Sequence, residues 1–452
     1  MARGELVQDM TKGNETSLLI KFMMPMLFGN IFQQLYNIAD SIIVGRFVSD
    51  NALGAIGCTA SVTFLFFAMC NGLATGAGIM VAQFFGASRD EDVKKTLTNS
   101  FYMVTIFGIF FSVLGVILTR PALVLLDTPK AQLEDAVAYM QIACGGTIAV
   151  AIYNYAAQVM RALGDAKTPL IFLVFATILN VGLDFLFILG FDMGVKGAAY
   201  ATIIAQAISA VGSLIFAYAK NPYFKLKLAH YKLDLEKAKM CISIGFPLAM
   251  QGFTIASSCV ILQKFVNGFD AAVVTAFTVT SRIEQFVQQP FSSLSTAMST
   301  FTGQNMGARK TERVRNALIS AVKITAVISI VMLAVCYLAG EYIVGCFVED
   351  PEVIAIGTRG LRIISLMFFP LGIIYVTRGL LNGANDTFYA MINGIIEVCC
   401  RVGFAILLVS VFPVGKWSVW LATGLTWVVT GIAGTIRYKQ GVWLKKCIAT
   451  AV

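Results

Sequence analysis

Asp40 and Asp184 stand inside apolar runs long enough to cross a bilayer, and no Lys or Arg within one helical turn can neutralise either. A charge at membrane depth costs roughly 2.5–3.5 kcal/mol on insertion scales, so such acids face a bundle interior or a water-filled path and serve ions or protons. The competing reading is a buried acid satisfied by hydrogen bonds. Helical spacing adds neighbours: Tyr36 and Asn37 fall one turn from Asp40, and Asn180 one turn from Asp184. Two adjoining carboxyls in a dry setting titrate as a coupled unit, which can take a proton from one side and release it on the other. The same carboxylates with Asn and Thr oxygens are also hard-cation ligands, so sodium stands open beside the proton. The only histidine, His230, lies in a polar connector; a histidine proton relay is excluded, and His230 is expected to be solvated.

The elements that must position these acids follow from composition. Of 452 residues, 58% are hydrophobic and 13% charged, against about 45–50% and 25% in soluble domains. This is an integral membrane protein of the all-α class. Apolar stretches of spanning length run over 18–45, 53–84, 97–119, 134–160, 168–190, 195–219, 240–267, 274–305, 316–339, 353–381, 388–411 and 416–436. The first of these is too long for a signal-peptide core. Ten cysteines show no CxxC spacing, and most fall in apolar segments, where they read as small core residues. One set of loops and tails carries 21 Lys and Arg, whereas the opposite set carries Arg46, Arg120, Lys130, Lys196 and Lys416. The positive-inside rule therefore places both termini in the cytoplasm. Topology accounts for the net charge of +9, so no nucleic-acid partner is implied.

Twelve spans divide into two copies of six. Pro25, Val44 and Phe47 match Pro247, Val266 and Phe269 at an offset of 222; Gln83, Gly86, Asp165, Gly182 and Thr202 match Gln304, Gly307, Asp386, Gly403 and Thr423 at 221. An even number of spans per copy makes the repeats parallel, related by an axis along the membrane normal, an arrangement suited to alternating access. The boundaries are an N-terminal lobe at 1–219, a basic connector at 220–239 and a C-terminal lobe at 240–452. Nothing resembles a channel filter loop.

The runs QQLYNIADSIIVGRFVSDNALGAIG, LNVGLDFLFILGFDMGVKGAAYATIIAQ, VAQFFGASRDEDVKK and TGQNMGARKTERVRN, in order and at these spacings, resemble the multidrug and toxic compound extrusion (MATE) family over essentially the whole chain. The resemblance implies two six-helix lobes in a V that export amphipathic, cationic organic compounds in exchange for protons or sodium. It also implies a prokaryotic cytoplasmic membrane and a monomer in contact with membrane lipids, with no cofactor and no enzymatic activity. The positions matching Asp40, Asn180, Asp184 and Thr202 form the first-lobe cation site in the archaeal and DinF-like branch. One departure is Phe185, where the family commonly has Pro. At about 1.5 Å per residue, Asp40 and Asp184 lie roughly 9 Å below the outer surface, Thr202 roughly 12 Å and Tyr139 roughly 8 Å, so these groups are expected to meet.

The second lobe carries other charges. Asp40 and Asp184 align with Leu262 and Ala405, and Arg401 takes the place of Asn180. Glu397 and Arg401, four apart, read as a structural ion pair; Glu284 reads either as a partner of nearby Arg282 or as a contact for a substrate cation. Pro25, Pro247, Pro290 and Pro370 each remove a helix hydrogen bond and are candidate hinges, with a static kink as the alternative. A lipid-linked saccharide flippase would need a strongly cationic cavity. A membrane-embedded enzyme lacks support, because no HExxH, phosphate loop or nucleophile–base pair is present.

Overall fold

A computed structural model describes residues 7–48, 50–125, 128–412 and 414–450. Among them there is no strand. The helices are α1 (Glu15–Phe47), α2 (Asp50–Gly86), α3 (Asp90–Leu125), α4 (Lys130–Gly145), α5 (Thr147–Ala162), α6 (Lys167–Asp184), α7 (Gly194–Lys220), α8 (Leu235–Val266), α9 (Ala271–Gly307), α10 (Thr311–Gly345), α11 (Pro351–Ser365), α12 (Phe368–Gly383), α13 (Thr387–Ile406) and α14 (Ser418–Lys439). Among the described residues, nine helical stretches are long and apolar enough to span a membrane, and the bent pairs α4–α5 and α11–α12 bring the number to eleven. The twelfth expected span is α9. Its 37 residues are ample for a crossing, but Arg282, Glu284 and a run of Ser, Thr and Gln dilute its apolar character.

Span 4 bends by 44° between α4 and α5, and span 10 by 50° between α11 and α12. Pro370, the third residue of α12, explains the second break, because its ring cannot follow a helical turn smoothly. The first break has no proline. It falls at Gly146, where a Cβ would lie 2.3 Å from the Ile203 side chain of α7. Hinges assigned to prolines alone therefore miss one of the two breaks. Pro25, Pro247 and Pro290 all lie inside uninterrupted helices. α6 and α13 each end in a π-helical turn, Phe185–Gly190 and Leu407–Val411, at nearly equivalent places in the two repeats.

The chain packs as two units. The first holds residues up to Asp9 and Met24–Met250; the second holds Met10–Met23 and Gln251–Val452. The lobe boundaries read from sequence differ from these at two stretches, since Met10–Met23 packs with the second unit and the start of α8 with the first. Each exchange falls within a few residues of a proline, Pro25 or Pro247.

Within the first unit, α2 packs on α3, α4 and α5, and α7 on α5 and α6. The start of α8 lies so close to α2 that a Cβ at Gly72 would meet the Ala249 backbone nitrogen at 2.5 Å, and one at Gly245 the Leu73 Cα at 2.7 Å. Small residues permit this backbone approach, the usual means of joining helices in lipid. Ahead of α8, the connector is stapled to α3. His230 is buried, its Nε2 2.7 Å from Glu91 Oε2 while its Nδ1 accepts from the Lys227 amide at 2.9 Å. The expectation of a solvated His230 is thus corrected: two 3₁₀ turns fold the connector onto α3 and enclose the ring.

In the second unit, α9 packs on α10, α11 and α12, and α14 on α12 and α13. Met10 donates its amide to Gln304 Oε1 (2.8 Å), and Arg313 donates to the Gly13 carbonyl (2.8 Å). The repeat relates Glu15–Arg313 (3.2 Å) to Lys237–Asp92 (2.9 Å) with the charges interchanged. Cys70, Cys144, Cys241 and Cys336 are buried as expected, but Cys259 and Cys399 are exposed.

Gly72→Leu should lower stability by about 1–3 kcal/mol, the usual cost of overpacking. An unchanged unfolding temperature in detergent would show that the α2–α8 approach is looser than drawn.

Candidate functional site

Asp184 closes α6, just where the helix gives way to its π-helical turn, and is fully buried. Its carboxyl meets that of Asp40 on α1 within hydrogen-bonding contact. Asn180, one turn earlier on α6, is also buried. Its amide orientation is assigned from its neighbours. In the orientation that satisfies every partner, Nδ2 donates to Asp184 Oδ2 (3.0 Å) and to Tyr36 Oη (3.1 Å), while Oδ1 accepts from the Thr202 amide (2.9 Å) and hydroxyl (3.3 Å). Tyr36 Oη lies 3.3 Å from Thr202 Oγ1. Tyr139 on α4 lies within electrostatic reach of both acids. It packs on Ile43, Val44, Ile188, Val195 and Ala198, an apolar cap beside the acids.

Four helices (α1, α4, α6 and α7) thus bring Tyr36, Asp40, Tyr139, Asn180, Asp184 and Thr202 to one place. Asn37 is exposed and donates to Gln34 of its own helix at 3.4 Å, on a face about 100° from Tyr36. Below the cluster is a cavity of about 10 Å³, lined in part by Gln33, Tyr36, Asn180, Thr202 and Gln206. That is room for about one water. Gln206 Oε1 is buried there without a hydrogen-bond partner, and outside the cavity so are Asp40 Oδ1 and Asp184 Oδ1. Gln33 and Gln206 escaped the sequence reading, although each lies one turn from a residue it named. Two adjacent carboxyls, an amide donor and unfilled acceptors form a site that can bind and release a small cation.

The second unit holds a different network. Glu397 Oε1 accepts from Arg401 Nη2 (2.9 Å), as its spacing implies, and Oε2 accepts from Arg378 Nη2 (3.1 Å). Arg378 also donates to Asn393 Oδ1 (3.1 Å), and Arg401 to Ser258 Oγ and Cys259 Sγ. Arg378 was missed because it sits on another span, where spacing cannot reveal a contact. Glu284 makes no pair with Arg282, which points to an exposed side of α9. It accepts instead from Gln288 Nε2 (2.8 Å), whose Oε1 accepts from Tyr375 Oη (3.0 Å).

The MatE family model matches residues 25–186 and 247–407, one match in each repeat. The chain belongs to the MATE family. It is 28% identical to a probable multidrug resistance protein, YpnP, of Bacillus subtilis, over 96% of this chain and 97% of that one. It is 24% identical to the probable multidrug resistance protein NorM of Thermotoga maritima, over 96% and 94%. Among solved structures, the fold resembles an outward-facing multidrug resistance MATE transporter of the MOP superfamily (TM-score 0.91, 22% identity, 98% and 100% covered). A MOP superfamily transporter from Pyrococcus furiosus is comparably similar (TM-score 0.89, 23% identity, 97% and 98% covered). As a MATE protein the chain is a multi-pass membrane transporter with twelve helices in two lobes, and not an enzyme.

In this MATE chain Glu397 holds both Arg378 and the buried Arg401. Glu397→Gln should cost about 3–5 kcal/mol, because it strands the buried Arg401. Thermal unfolding of the purified variant measures this. A stable variant that has lost transport would move Glu397 from the framework to the transport cycle.

Proposed function

We propose that this MATE transporter exports amphipathic, cationic organic compounds by alternating access, driven by protons entering through the Asp40–Asp184 pair. The names of its relatives support drug export. The contact between the Asp40 and Asp184 carboxyls supports the choice of ion, because two buried carboxyls so placed can share one proton. Asn180, in the orientation that satisfies its neighbours, adds an N–H donor to Asp184. A sodium ion needs oxygen ligands, whereas a proton shared between two carboxyls is compatible with a neighbouring amide donor. The water-sized cavity beside Tyr36, Asn180 and Thr202 is compatible with a proton path leading away from the pair.

In the second unit, Glu284 is the acid available to a cationic substrate. It is half-buried, and among the described residues it has no ion-pair partner. The flippase alternative calls for a cationic cavity, but Arg378 and Arg401 are both held by Glu397. The working protein is a monomer in a prokaryotic cytoplasmic membrane, with both termini on the cytoplasmic side.

Proteoliposome transport under separately imposed pH and sodium gradients tests this reading. Wild type should respond to the pH gradient alone. Asp184→Asn and Asp40→Asn should each lose gradient-driven transport, by about tenfold or more, while remaining folded and inserted. Transport driven by sodium at constant pH would overturn proton coupling, and full transport in both variants would remove the pair from the mechanism.

A further inference from the structure

The second unit carries a groove of about 700 Å³ between α10 and α11, lined by none of the residues of the Glu397 network. Its α11 wall presents Ala355, Arg359, Arg362 and Leu366 on one helical stripe, and its α10 wall presents Tyr337 and Glu341 one turn apart. The Arg359 guanidinium lies 4.7 Å from the Trp417 ring centroid. Arg362 lies 5.7 Å from the Tyr337 ring and donates to the Tyr337 carbonyl at 3.2 Å. Among the described residues, neither arginine is ion-paired and Glu341 has no basic partner. Thr358 also lines the groove; it is 6% exposed, and its Oγ1 is buried without a hydrogen-bond partner.

The surroundings indicate what this groove faces. Leu338 is 89% exposed and Leu366 56%, on a helix surface that in a membrane protein meets lipid tails. Trp417 and Tyr337 are the aromatic types that gather at the headgroup level. Arg359 is eight residues, about 12 Å, from the start of α11, within snorkelling reach of that level. Two guanidiniums free of ion pairs suit the oxygens of a phosphodiester. A purely anionic headgroup would leave Glu341 without a partner and repel it. A headgroup that also bears a cation satisfies all of these groups.

We propose that the groove binds an aminophospholipid, phosphatidylethanolamine, with its phosphate on Arg359 and Arg362, its ammonium on Glu341 and its acyl chains along Ile363 and Leu366. A lipid bridging α10 and α11 would hold the outer half of the broken span, beyond the 50° bend, against its neighbour.

The test uses the full-length protein, delipidated in detergent and titrated with phosphatidylethanolamine, phosphatidylcholine or phosphatidylglycerol. Bound lipid is counted by native mass spectrometry, and the unfolding temperature is followed in parallel. Wild type should retain one phosphatidylethanolamine about tenfold more tightly than phosphatidylcholine, whose trimethylated nitrogen has no N–H for Glu341, a difference of about 1.4 kcal/mol. Arg359→Gln with Arg362→Gln should weaken binding about tenfold or more. Glu341→Gln should bind both lipids but no longer prefer one. These side chains are exposed, so the variants should fold, and helical content by circular dichroism checks this. Arg359→Lys with Arg362→Lys should retain part of the affinity. Equal wild-type binding of the two zwitterionic lipids would overturn the proposal, as would undiminished binding by the double glutamine variant. A preference for phosphatidylglycerol that ignores Glu341→Gln would also overturn it, by making the groove a simple anion site.

Discussion

Hydrocarbon offers a polar group no partner, so every charge placed at membrane depth must be answered by another side chain of the protein. One repeat position shows how much depends on which answer is given. In the first unit it holds Asn180, a neutral group that gives a single N–H to Asp184 and leaves one oxygen of each acid unfilled. In the second it holds Arg401, which binds Glu397 through a charged hydrogen bond and anchors on Ser258. The amide leaves its carboxyls chemically available. The guanidinium closes its carboxylate into a network with Arg378, where losing a proton or gaining an ion would be costly. Duplication thus yielded one lobe with open carboxyls and one with its carboxylate braced, from the same backbone.

The backbone irregularities follow the duplication and not the chemistry. A π-helical turn succeeds Asp184, a placement common at functional sites. Yet the second unit has a π-helical turn at nearly the same repeat position, next to Ala405 and Ile406, where there is no acid to position. The turn therefore belongs to the six-helix unit, and the first lobe uses it by placing its acid at the junction. Phe185 fits this account, since a widened turn loosens the helix there without proline.

Much of the site was legible because the price of burying a charge is high and helical spacing is regular. Asp40 and Asp184 announced themselves by residue type and depth, Tyr36 and Asn180 followed from helical spacing, and Thr202 and Tyr139 from matching heights. Spacing alone did not place Asn37, which is exposed, because residues one turn apart still differ in direction and adjacent ones point about 100° apart. It failed for Arg378, Gln33 and Gln206 because lateral packing decides which spans touch. The break at Gly146 was hidden for a related reason: it answers the bulk of Ile203 on α7, far away in sequence. His230 went astray because polarity of the connector says nothing about the 3₁₀ turns that fold it down on Glu91. The lobe boundaries were read from charge and span count, which cannot reveal that the starts of α1 and α8 pack outside their own copies.

That exchange bears on how the chain is assembled at the ribosome. Met10–Met23 emerges first, but its partners Gln304 and Arg313 are made nearly three hundred residues later. Meanwhile the equivalent surface of the first copy is already available, and its Asp92 sits where Arg313 will sit in the second. Glu15 meets repulsion there, whereas Lys237, arriving with α8, meets attraction. The interchanged charges make each segment complementary to the copy it packs on and mismatched to the other. Halves synthesised as separate chains, cut within the connector, would each lack a segment that the other carries, and would have to find one another before either was complete.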